Sequence, residues 1–338
     1  MNADSPQTID YSQMLHQQFA CMGSTFSLWI DRRAGAAGAA AFSSGKIFLT
    51  RADRELTRFD PTSDLSLLNG DPREIVPVSS LTARFVDTAL WAAQISEGLV
   101  DPTLIDSLED IGYKETLRGR TPAALSEALE RTEPIGPASA DPRARWQKIS
   151  VDLDMLTVTR PVGLRLDSGG SGKGMAADML ASIWKRLLPA GTPWIIDCGG
   201  DLRLGELTPG APQYVIAVDG PIKGDSARAL TVSGGAIATS GIGNRIWRNT
   251  DGSYSHHLID PSTGRSAWTG VISVTAVAET AAMAETLSKT ALLAGPEIAG
   301  QLIADRGGVI VRGDRVVEEF PVQSRRTELP HGEMELVA

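Results

Sequence analysis

Four segments of the chain carry residues with chemical capacity. The first is Leu166-Asp-Ser-Gly-Gly-Ser-Gly-Lys-Gly174, between an expected strand and an expected helix. Glycines let a ligand approach the backbone, and N–H groups at a helix start attract phosphate. Lys173 adds a point charge. The spacing is not that of a Walker A loop, because Gly174 follows the lysine, nor is it G-x-G-x-x-G. A phosphate cradle and a plain helix-starting turn are therefore both open. The second, Asp197-Cys-Gly-Gly-Asp-Leu-Arg203, follows an apolar strand and reads as a tight turn beside a ligand or as a simple strand connection. The third joins Ile237-Ala-Thr-Ser-Gly241 to Tyr254-Ser-His-His-Leu-Ile-Asp-Pro-Ser-Thr-Gly264 and holds two of the four histidines. Strand alternation sends His256 and His257 to opposite faces, so at most one meets a cleft, where it could act as a general base. In the fourth, Met283-Ala-Glu-Thr-Leu-Ser-Lys-Thr290, Glu285 and Lys289 share one helix face. The default for such a pair is a surface ion pair worth about 0.3–0.5 kcal/mol.

Positioning these groups takes strands and helices in mixed order. Alternation predicts a strand over residues 25–30, and residues 36–58 read as a helix, despite their glycines, that stops before Pro61. A second helix is expected at 81–97, closed by Gly98, and an amphipathic one at 173–188, closed by Pro189. Short strands follow at Trp194–Asp197, 214–219, 227–232 and 272–278. A helix at 280–293, another at Pro296–Ala304 and a hairpin over 308–320 complete the pattern. Residues 119–147, with four prolines around a short helix at 123–131, read as a surface connection between lobes. Residues 1–18 and 323–338 are polar and expected to be flexible, flanking one domain over 19–322. Without steady βαβ alternation the class is α+β.

Composition narrows the function. The 338 residues are 42% hydrophobic and 22% charged, which is globular, and the net charge of −9 opposes nucleic acid or an anionic membrane as partner. Any anionic ligand needs a local cationic site. Two cysteines, Cys21 and Cys198, make no disulfide framework. No apolar run of about 18 residues and no signal-peptide core occur, so the reading expects a soluble, cytoplasmic protein without membrane contact.

In order along the chain, these segments resemble the FAD:protein FMN transferases of the ApbE family. The resemblance rests on Met22-Gly-Ser, Arg58-Phe-Asp-Pro-Thr-Ser-Asp-Leu-Ser-Leu-Leu-Asn69, Val100-Asp-Pro-Thr103 and residues 166–178. It continues through Cys198-Gly-Gly-Asp201, Ala238-Thr-Ser-Gly241, His257-Leu-Ile-Asp-Pro-Ser-Thr-Gly264 and residues 284–295. It implies a bilobed α+β fold with mixed sheets and FAD in the cleft between the lobes. The implied reaction splits the FAD diphosphate with magnesium, joins FMN through its phosphate to a Thr or Ser hydroxyl of a target flavoprotein, and releases AMP. Two alternatives are FAD binding without transfer, and hydrolysis of FAD to FMN and AMP.

Carried over by position, the resemblance implies flavin-nucleotide contacts from Met22, Phe59, Leu99, Val100, Asp101, Asp167, Lys173 and Leu258. Phe59 stands where relatives commonly have tyrosine, which keeps stacking and loses a hydroxyl. Catalytic roles fall to His257 and Lys173. A cation would be held by the Gly170 carbonyl, Glu285 and Ser288. The chain departs from the pattern at Glu285, one methylene longer than the usual aspartate, and at Lys289, where a hydroxyl ligand is usual. An ammonium has no lone pair for a metal. Lys289 is therefore expected to replace the cation, pairing with Glu285 and with the FAD phosphates.

Overall fold

The computed structural model describes residues 7–116, 121–222 and 227–322. An eight-stranded sheet runs through the centre, and its strand order is the chain order. The strands are β1 (Met14–Cys21), β2 (Ser24–Asp31), β3 (Trp194–Asp197), β4 (Asp201–Leu204), β5 (Gly235–Gly241), β6 (Val271–Ala278), β7 (Gly308–Arg312) and β8 (Val317–Phe320). Every neighbouring pair is antiparallel, where mixed sheets were expected; the α+β class stands. Between β2 and β3 the chain inserts α1 (Gly35–Leu56), α2 (Asp64–Gly70), α3 (Ser80–Ile95), α4 (Ile105–Asp110), α5 (Leu125–Arg131) and α6 (Gly172–Leu187). Helices α7 (Ala281–Ala294) and α8 (Pro296–Ala304) join β6 to β7. Among the described residues no helix is long and apolar enough to cross a membrane.

Successive strand residues face opposite sides of the sheet, and on β5 and β6 the two sides carry different sizes. Ile195, Ile237 and Val277 pack under a hairpin of Tyr214–Val218 and Arg228–Val232. Their neighbours Ala236, Ala238 and Ala278 join the cluster that holds α1, α3 and α6. Short side chains on that face let α6 and α7 lie close to the sheet. Helix α7 then bridges two apolar clusters, with Ala281 and Ala284 in one and Ala291, Leu292 and Leu293 in the other. Its charged middle lies between them.

The crossing of α6 and α7 is tight because Gly174 stands at it. A Cβ there would fall 2.7 Å from the Ala281 carbonyl oxygen and 2.8 Å from the Ala282 Cα, both backbone atoms. Asp178, one turn further along α6, accepts the Ala281 and Ala282 N–H groups at 2.9 Å each, and Thr280 accepts from Met283. Helix α7 is thus capped by its neighbour. Gly174→Ala is expected to lower stability by about 1–3 kcal/mol through overpacking, read from the urea midpoint. An unchanged midpoint would refute the close crossing.

Two expectations are corrected. Residues 14–18 are not a flexible lead-in: with 19–21 they form β1, in register with β2 from Met14↔Asp31 to Cys21↔Ser24. The Tyr11 hydroxyl also donates to the Val215 carbonyl at 3.0 Å. Residues 121–147 are more than a surface connection, since Leu125, Ala128 and Ala138 belong to the second apolar cluster. Backbone bonds from Ala123, Ile135 and Ala138 to Ile246, Trp268 and Leu293 strap the segment down. Residues 1–6, 119–120 and 323–338 of the expected terminal and connecting segments lie outside the described residues.

Candidate active site

The glycine loop is fixed at both ends before it reaches α6. Asn69 brackets Leu166, accepting its N–H at 2.8 Å and donating to its carbonyl at 2.9 Å. Asp167 donates its N–H to the Pro102 carbonyl, which ties the loop to the Val100-Asp-Pro-Thr103 turn. Its carboxylate pairs with Arg58 at 3.0 Å and accepts the Gly169 N–H at 2.9 Å. Ser168 donates to the Leu56 carbonyl at 2.7 Å. At the loop's centre, a Cβ on Gly170 would meet Val100 at 3.5 Å, and one on Gly172 would meet Ser168 at 3.3 Å and Met22 at 3.6 Å. Met22 itself sits at a left-handed turn (φ 47°), held by its N–H on Asp53 at 2.8 Å.

In the first turn of α6, Lys173 reaches the first residue of β4 and pairs with Asp201. Its ammonium also lies 3.9 Å from Glu285 Oε1, to which Lys289 donates at 2.8 Å. Glu285 Oε2 accepts the Gly174 N–H at 2.8 Å. Burial pulls the Lys173 ammonium down, but Asp201 and Glu285 outweigh it and raise it above the usual lysine value. Burial pushes the Glu285 carboxyl up against the pull of Lys289 and Lys173. Both its oxygens accept from donors, which is the pattern of an ionised group. Ser288 donates to the Glu285 carbonyl at 3.1 Å and lies 2.8 Å from the Ser240 hydroxyl on β5. The Glu285–Lys289 pair is therefore buried, correcting the default of a surface ion pair.

The two histidines differ, but not through strand alternation, because the strand ends at His256. His256, in the strand Tyr254–His256, is fully buried and edge-on to Trp268 at 4.7 Å. Burial holds its imidazole down to about 3, and its Nδ1 accepts the Leu258 N–H at 3.3 Å. It is a neutral core residue. His257 leaves the strand and donates its N–H to the Arg245 carbonyl at 3.3 Å. Its Nδ1 is buried and has no hydrogen-bond partner among the described residues. Burial, then the charges of Arg245, His256 and Lys289, hold this imidazole well below the usual histidine range.

Residues 22–311 match the ApbE family. The chain belongs to the ApbE family. It is 25% identical to a FAD:protein FMN transferase of Vibrio cholerae over 93% of this chain and 92% of that one. A Salmonella typhimurium FAD:protein FMN transferase is 27% identical over 68% of this chain, a match that spans 64% of the Salmonella protein. Among solved structures, the ApbE protein of Thermotoga maritima superposes with a TM-score of 0.74 at 26% identity, covering 91% of this chain and 97% of that one.

Within this ApbE member the expected site residues mostly converge. Met22, Val100, Asp167 and Gly170 gather at the glycine loop. Lys173, Glu285, Ser288 and Lys289 form a cluster at the start of α6 and the middle of α7, and the Lys289 charge reaches His257. Phe59 is 38% exposed and packs with Tyr113 at 5.7 Å, the Arg58 guanidinium lying 4.3 Å from the Phe59 ring centre. Tyr113 in turn meets Trp247 at 5.8 Å, so the aromatic face is larger than Phe59 alone. Leu258 and Leu99 serve the second apolar cluster. Asp101 accepts from Thr103 at 2.7 and 2.6 Å, while its Oδ2 is buried without a partner among the described residues. Its carboxyl is raised by burial, and its charged neighbours are Arg145 and Asp141.

Sequence reasoning missed four side chains at the site. Asp201 lay in a segment that was flagged but given no role. Arg245 belongs to no motif. Tyr113 and Trp247 complete the aromatic face from distant positions, and only the fold brings them to Phe59.

The donor set does not fit a divalent cation. Glu285 spends one oxygen on Lys289 and the other on Gly174, and Ser288 is engaged on both sides. Among the described residues no group of three His, Cys, Asp or Glu side chains could hold a metal. Magnesium needs a near-octahedral set of oxygens at about 2.0–2.1 Å, and an ammonium at this carboxylate opposes it.

Proposed function

We propose that the chain is a FAD:protein FMN transferase that binds FAD with its diphosphate along the glycine loop and Lys173. The observation that carries this reading is a buried cluster of Lys173, Lys289, Asp201 and Glu285 to which the charge of Arg245 is added, with a neutral imidazole nearby. The two ammonium groups balance the two carboxylates, and Arg245 leaves the set net positive, which is what a diphosphate requires in an acidic protein. Phosphoryl transfer then needs mainly charge neutralisation and an aligned nucleophile. A Thr or Ser hydroxyl of the target flavoprotein attacks the phosphorus on the FMN side. A new P–O bond forms, the bond to the bridging oxygen breaks, and AMP departs with that electron pair. His257 takes the hydroxyl proton; Lys173 balances the charge gathering on the departing phosphate. The aromatic face of Phe59, Tyr113 and Trp247 receives the flavin ring by stacking.

Incubation with FAD and a flavoprotein peptide carrying a candidate threonine tests this. Covalent flavin on the peptide, with one AMP per transfer, is expected. Free FMN with AMP would replace transfer by hydrolysis, and unchanged FAD would leave only binding.

A further inference from the structure

We infer that this chain carries its activating cation as the Lys289 side chain, so that it binds and cleaves FAD without a divalent metal. The inference rests on the transferase reading and concerns how that one site is charged. Three observations support it. The Lys289 ammonium lies 2.8 Å from Glu285 Oε1, where a cation serving that carboxylate would sit. The extra methylene of Glu285 lets its other oxygen reach the Gly174 N–H across the α6–α7 crossing, which pins the carboxylate in a geometry suited to the ammonium. Every side-chain oxygen expected to ligate a metal is committed to a protein donor or acceptor.

Exposure sets the direction in which this charge is offered. The Glu285 side chain is 0% exposed, whereas those of Lys173 and Lys289 are 17% and 10% exposed. An incoming diphosphate therefore meets ammonium groups, with the carboxylates behind them. Lys173 and Lys289 supply two positive charges, matched by the Asp201 and Glu285 carboxylates behind them. Arg245, whose guanidinium approaches Gly23 and whose charge reaches both Lys173 and His257, adds a third. These cations are covalently attached, so the site needs no metal delivery and resists chelators. An ammonium is a weaker stabiliser of developing phosphate charge than a metal that coordinates it directly.

The test uses the full chain with FAD and the threonine-bearing acceptor peptide, followed by flavin fluorescence for binding and by AMP release for cleavage, with EDTA and then with added magnesium. Both readouts are expected to agree within about twofold between the two conditions, since ammonium charge does not depend on free metal. Calorimetric titration with magnesium chloride alone is expected to show no binding. A double variant, Glu285→Asp with Lys289→Thr, restores a metal-ligating donor pair and is expected to make FAD binding fall on chelation and return with magnesium. Loss of FAD binding or AMP release from the unaltered chain in EDTA, recovered by magnesium, overturns the inference. Absence of FAD binding under both conditions overturns the transferase reading beneath it.

Discussion

Replacing His257 with asparagine is expected to slow FMN transfer by about 10²–10⁴-fold, the usual worth of a positioned general base, while FAD binding changes little. Asparagine keeps polarity and approximate size but cannot accept a proton at neutral pH. His256 is a built-in control, because it is sealed in the core against Trp268. The state of His257 follows from its surroundings: burial first, then Arg245, His256 and Lys289, disfavour the imidazolium. With its folded value held below the usual 6.5, the imidazole is free to accept a proton throughout the neutral range. The acid limb of the transfer rate is therefore expected below pH 6.5, the ordinary histidine value. Stability has the same sign. The unfolded chain binds this proton more readily than the folded one, so stability is retained above pH 6.5 and falls as pH drops below it. Rates measured between pH 5 and 8 by AMP release, with urea midpoints at the same pH values, check both. A rate that halves near pH 7, or an asparagine variant that transfers normally, would remove His257 from the reaction.

What could be read in the sequence, and what could not, divides along physical lines. Strand β2 and helix α6 announced themselves because each buries one face, and alternation or a 3.6-residue stripe is the direct trace of that. Helix α1 was also legible despite its glycines, and the structure gives their reason. Gly45 stands where a Cβ would be 3.0 Å from Leu28 and 3.2 Å from Trp184, so it is a contact point between helix and core. Strand β1 left no such trace. It lies at the sheet edge, where polar residues such as Gln18 can face water while Phe19 leans on Phe26. The candidate site was legible in part. Spacing shows that Glu285 and Lys289 share a helix face, but not whether that face is buried, and burial turns a marginal surface pair into one whose partner cannot be removed without stranding a charge. Asp201 was harder still. Its partner Lys173 is 28 positions away, and only the approach of α6 to β4 brings them together.

Substituting methionine for Lys173 is expected to cost about 3–5 kcal/mol of stability, the penalty for stranding a buried charge. Two carboxylates lose a counter-ion at once: the Asp201 side chain is 2% exposed and that of Glu285 is 0% exposed, and Lys289 reaches Glu285 at 2.8 Å. FAD affinity is expected to fall about 10–100-fold as well, since a charge-assisted hydrogen bond contributes about 1.5–3 kcal/mol. A second variant separates the two effects. Adding Asp201→Asn removes the stranded charge, so the double variant is expected to regain most of its urea midpoint. It stays weak for FAD, because the ammonium facing the diphosphate is still missing. Fluorescence titration of FAD against both variants, beside their urea midpoints, makes the comparison. If stability and affinity recover together in the double variant, Lys173 acts on the nucleotide only by holding the fold. If affinity stays low while the fold recovers, its charge is spent on the ligand. Lys173 then links the glycine loop to the sheet and supplies part of the field that draws an anion into an acidic protein.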